Sequence, residues 1–206
     1  NDISFQASRG EIIAIAGANG AGKSTLARML CGLQKNGSGT VLWAGKPMSR
    51  RSRRKKAYMV MQDVGHQLFT DSVAAECVLG IKAPNKDEID RALEKVDLLA
   101  YKERHPLSLS GGQMQRLAVV VSDICGKELL VFDEPTSGLD LKSMEEVGTL
   151  TRSLATQGKV LLIITHDIEF MMRICTRILF IRDGEIAEDL SGGQKEKIVR
   201  LLRGEE

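Results

Sequence analysis

The stretch Gly17-Ala18-Asn19-Gly20-Ala21-Gly22-Lys23-Ser24-Thr25 decides the fold, because it has the G-x-x-x-x-G-K-[ST] spacing of a phosphate-binding loop. It follows an apolar run, Ile12 to Ala16, and leads into a helix-like segment. Its glycines allow successive backbone N–H groups to turn inward around phosphate oxygens. We therefore predict that this loop binds nucleotide phosphates, that Lys23 reaches the β- and γ-phosphates, and that the Ser24 hydroxyl ligates Mg²⁺.

A dinucleotide-binding turn is the other phosphate site that a glycine-rich loop can form. Its G-x-G-x-x-G spacing requires a third glycine at position 25, where this sequence has Thr25. The sequence therefore favours a mononucleotide site of the phosphate-loop type.

Composition limits the class of protein. The 206 residues are 43% hydrophobic, which is enough to bury a full core, and the length suggests one domain. No segment reaches the roughly 18 apolar residues that span a bilayer, and no signal peptide opens the chain. The four cysteines form no C-x-x-C pair, which favours a reducing cytosol over a zinc site or a disulfide framework. The abrupt start suggests a piece of a longer protein.

Strand-like and helix-like patterns alternate on both sides of a helical interval. The expected strands are 3–5, 11–16, 40–43, 57–61, 128–132, 159–165 and 177–181, and the expected helices are 23–31, 72–79, 86–99, one from Ser110, 141–155 and one after Asp167. This order predicts an α/β fold with a mostly parallel sheet, formed by residues 1–62 and 126–206. Residues 63–125 are predicted to form an inserted α-helical subdomain.

Two carboxylates, Asp133 and Glu134, follow the apolar strand at 129–132. If this strand neighbours the one before the phosphate loop, both side chains lie beside the phosphates. Asp133 could then hold Mg²⁺, directly or through water, and Glu134 could orient or deprotonate the attacking water.

A basic cluster occupies residues 50–56, where only Ser52 is uncharged. A contact for acidic lipid or RNA is one interpretation. A solvated helix face beside the sheet is the favoured one, because no aromatic residue interleaves the cluster to stack on bases.

Further motifs follow the phosphate loop in the order found in ATP-binding-cassette (ABC) ATPases, and the chain resembles that family over nearly its whole length. They are Gln62 after a strand, L-S-G-G-Q-M-Q-R at 109–116, Asp133-Glu134-Pro135-Thr136, S-G-L-D at 137–140, and Thr165-His166-Asp167. The resemblance implies a P-loop NTPase fold, ATP and Mg²⁺ as cofactors, and ATP hydrolysis coupled to transport.

The resemblance also implies that a second ABC ATPase domain is a partner. In the family two such domains pair head to tail, and each ATP lies between the phosphate loop of one and the signature helix of the other. By similarity, Ser110, Gly111, Gly112 and Gln113 contact the partner's ATP, Asp140 lies at the dimer seam and His166 holds the γ-phosphate. Gln62 senses Mg²⁺ and the attacking water and couples them to the helical subdomain. The metal site is then formed by Ser24, Gln62 and Asp133, and Glu134 is the base.

The signature pentapeptide occurs twice, since L-S-G-G-Q recurs at 190–194. The first copy continues with Gln115-Arg116, as the family does, and precedes the Asp133 strand by one helix. We therefore assign the signature to Ser110, and we interpret Ser191 as the N-cap of a terminal amphipathic helix.

The stretch from Gln62 to Val73 resembles the ATPases of energy-coupling-factor importers, in which Q-L-F lies on a short helix that receives a membrane subunit. Leu68 and Phe69 are predicted either to face that partner or to pack in the subdomain core. The resemblance implies integral membrane transport subunits as partners, a place at the cytoplasmic face of the membrane, and a vitamin or transition-metal ion as cargo.

Three points stay open at this stage. In the family an aromatic residue upstream of the phosphate loop stacks on adenine, but only sixteen residues precede Gly17, and Phe5 is expected to pack in the core.

A soluble ABC protein that acts on DNA or the ribosome is an alternative, although no nucleic acid is expected because the interval between Gln62 and the signature lacks sustained heptads. A nucleotide-regulated binding module without turnover is weakened by Glu134 and His166.

Overall fold

The computed structural model describes residues 3–35, 39–81, 83–191, 194, 197 and 199–200. Its strands are β1 (Ile12–Gly17), β2 (Leu42–Trp43), β3 (Lys46–Pro47), β4 (Ala57–Val60), β5 (Leu129–Asp133), β6 (Val160–Ile164), β7 (Arg177–Arg182) and β8 (Glu185–Ser191). Six of them form one sheet in the order β4-β5-β6-β1-β7-β8, while β2 and β3 form a separate antiparallel hairpin.

The six-stranded sheet is parallel from β4 to β7, and only β8 runs antiparallel to its neighbour. Every residue of β1 and of β6 is buried, because helices cover both faces of the sheet. The predicted α/β fold with a mostly parallel sheet is therefore confirmed.

Seven α-helices occur in the described residues: α1 (Lys23–Leu30), α2 (Arg50–Lys56), α3 (Val73–Val78), α4 (Lys86–Glu94), α5 (Gly111–Ile124), α6 (Leu141–Thr156) and α7 (Ile168–Ile174). Most begin at a side chain that accepts a hydrogen bond from the first turn, as Ser72 does for α3 and Asp167 does for α7. Such N-caps satisfy backbone N–H groups that have no partner inside the helix.

Between β4 and β5 the described chain contains helices and no strand. The buried side chains there, including Leu93, Leu98 and Leu117, form a cluster that is distinct from the two clusters on the faces of the sheet. Tyr58 and Met114 contact both this cluster and the sheet core. The division at residues 63 and 125 is consistent with this packing and stays a prediction.

Three local expectations differ from the structure. Residues 3–5 form no strand, although Ile3 and Phe5 pack against the sheet core as expected of Phe5. The helix expected over 86–99 ends at Glu94, because Asp97 adopts a positive φ of 56° and reverses the chain. Strand β8 was not predicted.

Ser191 is the last residue of β8. Residues 192, 193, 195, 196, 198 and 201–206 lie outside the described residues, and they include both glycines of the second L-S-G-G-Q and half of the predicted terminal helix at 195–200. The cap assigned to Ser191 therefore stays a prediction.

The basic helix α2 is partly tied to the fold, while its Arg51, Arg54 and Lys55 are exposed. Arg50 donates to the carbonyl oxygens of Gly32 and Leu33, at 2.9 and 3.0 Å. Arg53 is buried, and Lys56 pairs with Glu128 while its ammonium lies 4.8 Å from the centre of the Trp43 ring. Several of these cations hold the helix against the core, which agrees with the structural interpretation of the cluster.

Candidate nucleotide-binding site

The phosphate loop follows β1 in the interior of the sheet and opens α1 at Lys23. Gly17 needs to be glycine, because its φ is 145° and an added Cβ would lie 2.1 Å from the carbonyl oxygen of Ile181 in β7. Gly22 caps α1 without a side chain, so the first N–H groups of the helix point into the loop. Such an end attracts anions.

Lys23 is a buried cation whose ammonium turns back on the loop. It donates to the carbonyl oxygens of Gly17 and Ala18, at 2.7 and 2.9 Å. Burial lowers the pKa of Lys23, and the nearby Glu134 and Asp133 carboxylates offset part of that effect. The lysine is thus held at the centre of the loop and near both predicted acidic residues.

Ser24 and Asp133 meet across one intervening strand. Strand β6 separates β1 from β5, so the condition that the two strands be neighbours is not met. The Ser24 hydroxyl nevertheless donates to Asp133 Oδ1 at 3.4 Å, because α1 extends over the carboxyl edge of the sheet. Asp133 is 7% exposed. A hydroxyl and a carboxylate oxygen are hard ligands that suit Mg²⁺, whose other positions are commonly filled by water and phosphate oxygens.

Glu134 and His166 form the second pair at this edge. Glu134 Oε1 lies 3.4 Å from His166 Nε2, and the His166 backbone N–H donates to Glu134 Oε2 at 3.4 Å. Glu134 has a positive φ of 49°, which is strained for a residue with a side chain and common at functional sites. Its carboxylate is mostly buried, whereas half of the His166 side chain is exposed.

Gln62 lies outside these pairs, on an exposed loop that begins directly after β4. It lines a cleft of about 380 Å³ between that loop, the start of α5 and the loop before α6. The cleft is bordered by Gln62, Asp63, Val64, Gly65, Gly111, Met114, Gln115, Ser137, Gly138 and Leu139. Gln62 therefore shares this cleft with the signature residue Gly111.

The signature residues begin helix α5. Ser110 is its N-cap, with its hydroxyl accepting from the Gln113 N–H at 3.4 Å while Gln113 Oε1 accepts from the Ser110 N–H at 2.9 Å. Together these bonds form a capping box, which fixes the helix start with Ser110 and Gly111 exposed. Gly112 packs on α6, since a Cβ added there would lie 2.5 Å from Ser143 Oγ.

Asp140 caps α6, and its carboxylate accepts from the Ser143 N–H at 2.7 Å. This hydrogen bond lowers the pKa of Asp140 below its ordinary value. The side chain lies at the protein surface, next to the contact between Ser143 and Gly112. Asp140 and the signature residues are therefore neighbours within one chain.

The two apolar residues of Q-L-F have different environments. Leu68 is 2% exposed and belongs to the helical core cluster, so of its two predicted places the subdomain core applies and the interface does not. Phe69 is 69% exposed. Only Phe69 of this pair is available to a partner.

Sequence reasoning missed three polar residues in this region. Gln115 is 5% exposed and lines the cleft with Gln62, while Gln67 and Glu76 bond to the backbone of the Gln62 loop. Gln67 and Glu76 carry no sequence signal for such contacts, because their partners are main-chain groups. Gln115 had a signal, since it lies two residues beyond the signature.

Within the described ranges, no cluster of three or more His, Cys, Asp or Glu side chains could hold a metal ion on its own. A cation at Ser24 and Asp133 would therefore need ligands from water or a nucleotide. In the same residues no helix has the length and apolar character required to cross a bilayer.

A phosphate loop that opens a helix from an interior parallel strand, with carboxylates at the same sheet edge, defines a P-loop nucleotide-binding domain. The sequence model of the ABC transporter family matches residues 1–137. The chain therefore belongs to the ABC transporter family, whose ATP-binding domains hydrolyse ATP to drive transport.

Individual relatives agree with this assignment. An ABC transporter ATP-binding protein of Treponema denticola is 58% identical over 201 residues, which cover 98% of this chain. The chain spans only 41% of that relative's length, and 37% of a second relative from the same organism.

Two solved structures share the fold. CbiO1 of Clostridium perfringens, part of the ABC transporter complex CbiONQ, superposes with a TM-score of 0.82 at 30% identity, covering 98% of this chain and 85% of CbiO1. A bacterial Atm1-family ABC exporter with ATP bound superposes with a TM-score of 0.83 at 27% identity, covering 98% of this chain and 37% of the exporter.

Proposed function

We propose that this chain is the ATP-hydrolysing domain of an ABC transporter, and that it energises import through a head-to-tail ATPase dimer coupled to integral membrane subunits. The observation that carries the proposal is the grouping of Lys23, Ser24, Asp133, Glu134 and His166 at one sheet edge. The signature residues lie at the start of α5, where Ser110 and Gly111 are exposed and available to a second nucleotide.

Each group at the sheet edge has a defined task in this proposal. The loop N–H groups and Lys23 hold the phosphates of ATP, and Ser24 with Asp133 holds Mg²⁺, which neutralises charge on the transferred phosphoryl group. Glu134 accepts the proton of the attacking water. His166, positioned by Glu134, donates a hydrogen bond to the γ-phosphate.

A complete site then needs a second domain, identical or homologous. Ser110 to Gln113 of one chain close over the ATP held by residues 17–25 of the other, and Asp140 lies at the seam. Exposed N–H groups at the start of α5 suit an anion that arrives from another subunit. A single copy should therefore bind ATP and turn it over very slowly.

Import is favoured over export by the likeness to CbiO1, which covers most of both chains. We infer a peripheral position at the cytoplasmic face of the membrane, with Phe69 exposed toward a membrane subunit and a vitamin or transition-metal ion as cargo. The likeness to an exporter ATPase shows that the fold alone does not fix the direction. The soluble alternative loses part of its support, because Arg50 and Lys56 of the basic helix α2 bind within the fold.

Affinity purification from detergent-solubilised membranes tests the proposal. We expect an integral membrane protein to co-purify and to raise the ATPase rate of the chain. A Phe69→Asp variant should lose the membrane partner while it retains ATP binding. Co-purification with ribosomes or DNA, and with no membrane protein, would favour the soluble alternative.

A further inference from the structure

Residues 61–70 connect the nucleotide edge of the sheet to the exposed Phe69. The segment leaves β4 at Met61, carries Gln62, makes a 3-10 turn at Val64–His66 and reaches α3 through Ser72. Its exposed residues include Gln62 near the start and Phe69 near the end. How firmly the part between them is held decides whether a shift at Gln62 reaches Phe69.

The start of the segment is fixed by the side chain of Gln67, which folds back onto β4. Its Oε1 accepts from the Met61 N–H at 3.0 Å, and its Nε2 donates to the Met59 carbonyl oxygen at 2.9 Å and to the Tyr58 hydroxyl at 3.0 Å. One amide thus satisfies main-chain groups on both sides of the last residue of β4. This clamp adjoins Gln62 in sequence.

The end of the segment is fixed by Glu76 of α3, which is 3% exposed. Its Oε2 accepts from the N–H groups of Phe69 and Thr70, both at 3.1 Å, and from the Thr70 hydroxyl at 2.7 Å. A buried carboxylate is stable only with such donors, and hydrogen bonds to a charged acceptor are stronger than neutral ones. The clamp holds the backbone of Phe69 itself.

The middle of the segment is anchored in two cores. Val64 packs in the cluster on one face of the sheet, and Leu68 packs in the helical cluster. The backbone also closes on itself, with the Leu68 N–H donating to the Val64 carbonyl oxygen at 3.1 Å. Little freedom remains for Gln62 and Phe69 to move independently.

The geometry points to Gln67 and Glu76 as positioning residues that make residues 61–70 a single rigid connector between the nucleotide site and Phe69. Neither residue touches nucleotide or partner in this assignment, which rests on the proposed function. Removing either clamp should leave ATP binding intact, and the environment of Phe69 should then no longer respond to ATP binding.

A fluorescent reporter at the connector tests this. A Phe69→Cys variant of the full chain can be labelled selectively at neutral pH, because burial raises the pKa of Cys31, Cys77 and Cys175 to about 12 and also raises that of Cys125. We expect MgATP to change the fluorescence of the label, with the same midpoint as ATP binding measured by equilibrium dialysis.

Adding Glu76→Ala or Gln67→Ala should reduce the amplitude of this response at least threefold, with the MgATP dissociation constant within twofold. Glu76→Gln should restore the response, because its amide oxygen can still accept from the N–H groups of Phe69 and Thr70. Glu88→Ala, at an exposed glutamate of α4, is the matched control and should change nothing. If Glu76→Ala does not fold, Thr70→Val removes the hydroxyl that donates to Glu76 at 2.7 Å and to the Ser72 carbonyl oxygen at 3.0 Å, leaves both N–H bonds to Glu76, and should lower the amplitude.

An undiminished response in both Glu76→Ala and Gln67→Ala would overturn the inference, as would a labelled parent that binds MgATP without responding. These outcomes are distinct from failure of the proposed function, which would appear as absence of ATP binding in the dialysis or of a membrane partner in the purification. The reporter itself needs no membrane subunit.

Discussion

The Glu134 carboxylate and the His166 imidazole face each other, with Oε1 3.4 Å from Nε2. Their residues follow β5 and β6, whose pairing ends with Asp133 opposite Ile164, and the Glu134 N–H donates to the Ile164 carbonyl oxygen at 2.8 Å. The register of two buried parallel strands therefore brings the pair together.

We expect Glu134→Gln to separate binding from hydrolysis. The amide keeps the size and hydrogen-bonding shape of the side chain but cannot take a proton, so turnover should fall about 100-fold or more. Binding of MgATP should change little, and size-exclusion chromatography should show a dimer that depends on ATP. Turnover at the unmodified rate, or no ATP-dependent dimer, would contradict the assigned role.

Replacing Ser110 tests which copy of the repeated pentapeptide acts as the signature. Ser110→Ala removes the cap of α5, which costs about 1 kcal/mol, and should abolish most ATPase activity. Ser110→Asp keeps a capping acceptor but brings negative charge toward the partner's phosphate, so activity should fall without the loss of stability. Ser191→Ala should leave turnover unchanged, and the assignment is wrong if only this variant is inactive.

Gly112→Ala should be destabilising for a reason unrelated to phosphate. The added methyl group would lie 2.5 Å from Ser143 Oγ and 3.0 Å from its Cβ, so the Ser143 side chain must rotate and the contact between α5 and α6 must widen by a few tenths of an ångström. The double variant with Ser143→Gly should recover part of the lost free energy of unfolding, less about 1 kcal/mol for glycine in a helix. Its melting temperature should therefore lie above that of Gly112→Ala. Equal melting temperatures for the single and double variants would show that the contact is not limiting.

Acid should weaken the β7–β8 edge through Asp189. Two hydrogen bonds of 2.6 Å from Arg177 hold the pKa of Asp189 below its ordinary value of 3.8. The stabilisation is therefore complete above pH 3.8 and is lost as pH falls through the lower folded-state pKa.

Asp189→Asn should lower the free energy of unfolding at pH 7 by about 1 kcal/mol, a modest value because the pair is partly exposed. It should also flatten the acid dependence that denaturant titrations measure between pH 5 and about pH 2. Asp183→Asn, in the adjacent exposed turn, serves as the control. An unchanged acid dependence in Asp189→Asn would argue against this ion pair.

Much of the fold was predictable because its strands are short apolar runs ended by polar or glycine residues. The strand predicted over 128–132 corresponds to β5 at Leu129–Asp133, and β1 ends at the first glycine of the phosphate loop, as predicted. Strand order was not predictable, since local patterns do not report which strands pair. The separation of β1 from β5 by β6 is one result.

Strand β8 was missed for a related reason. It lies at the edge of the sheet, and its carboxylates at Glu185, Glu188 and Asp189 make its sequence resemble that of a loop. The pairing with β7 and the ion pair with Arg177 stabilise it as a strand. The clamps by Gln67 and Glu76 escaped prediction because side chains there bond to distant main-chain groups. Leu68 and Phe69 are adjacent apolar residues whose opposite environments depend on packing alone.

The close approach of Gly17 to Ile181 affects how variants of the phosphate loop can be interpreted. A side chain at position 17 would collide with the backbone of β7 before it met any nucleotide. Reduced ATP binding in such a variant would then report the folded fraction of the sample and not the affinity of the loop. At Gly20 an added Cβ meets no atom within 4 Å, but the positive φ of 82° strains any side chain there, so replacements at Gly20 also need a measurement of the folded fraction beside the affinity.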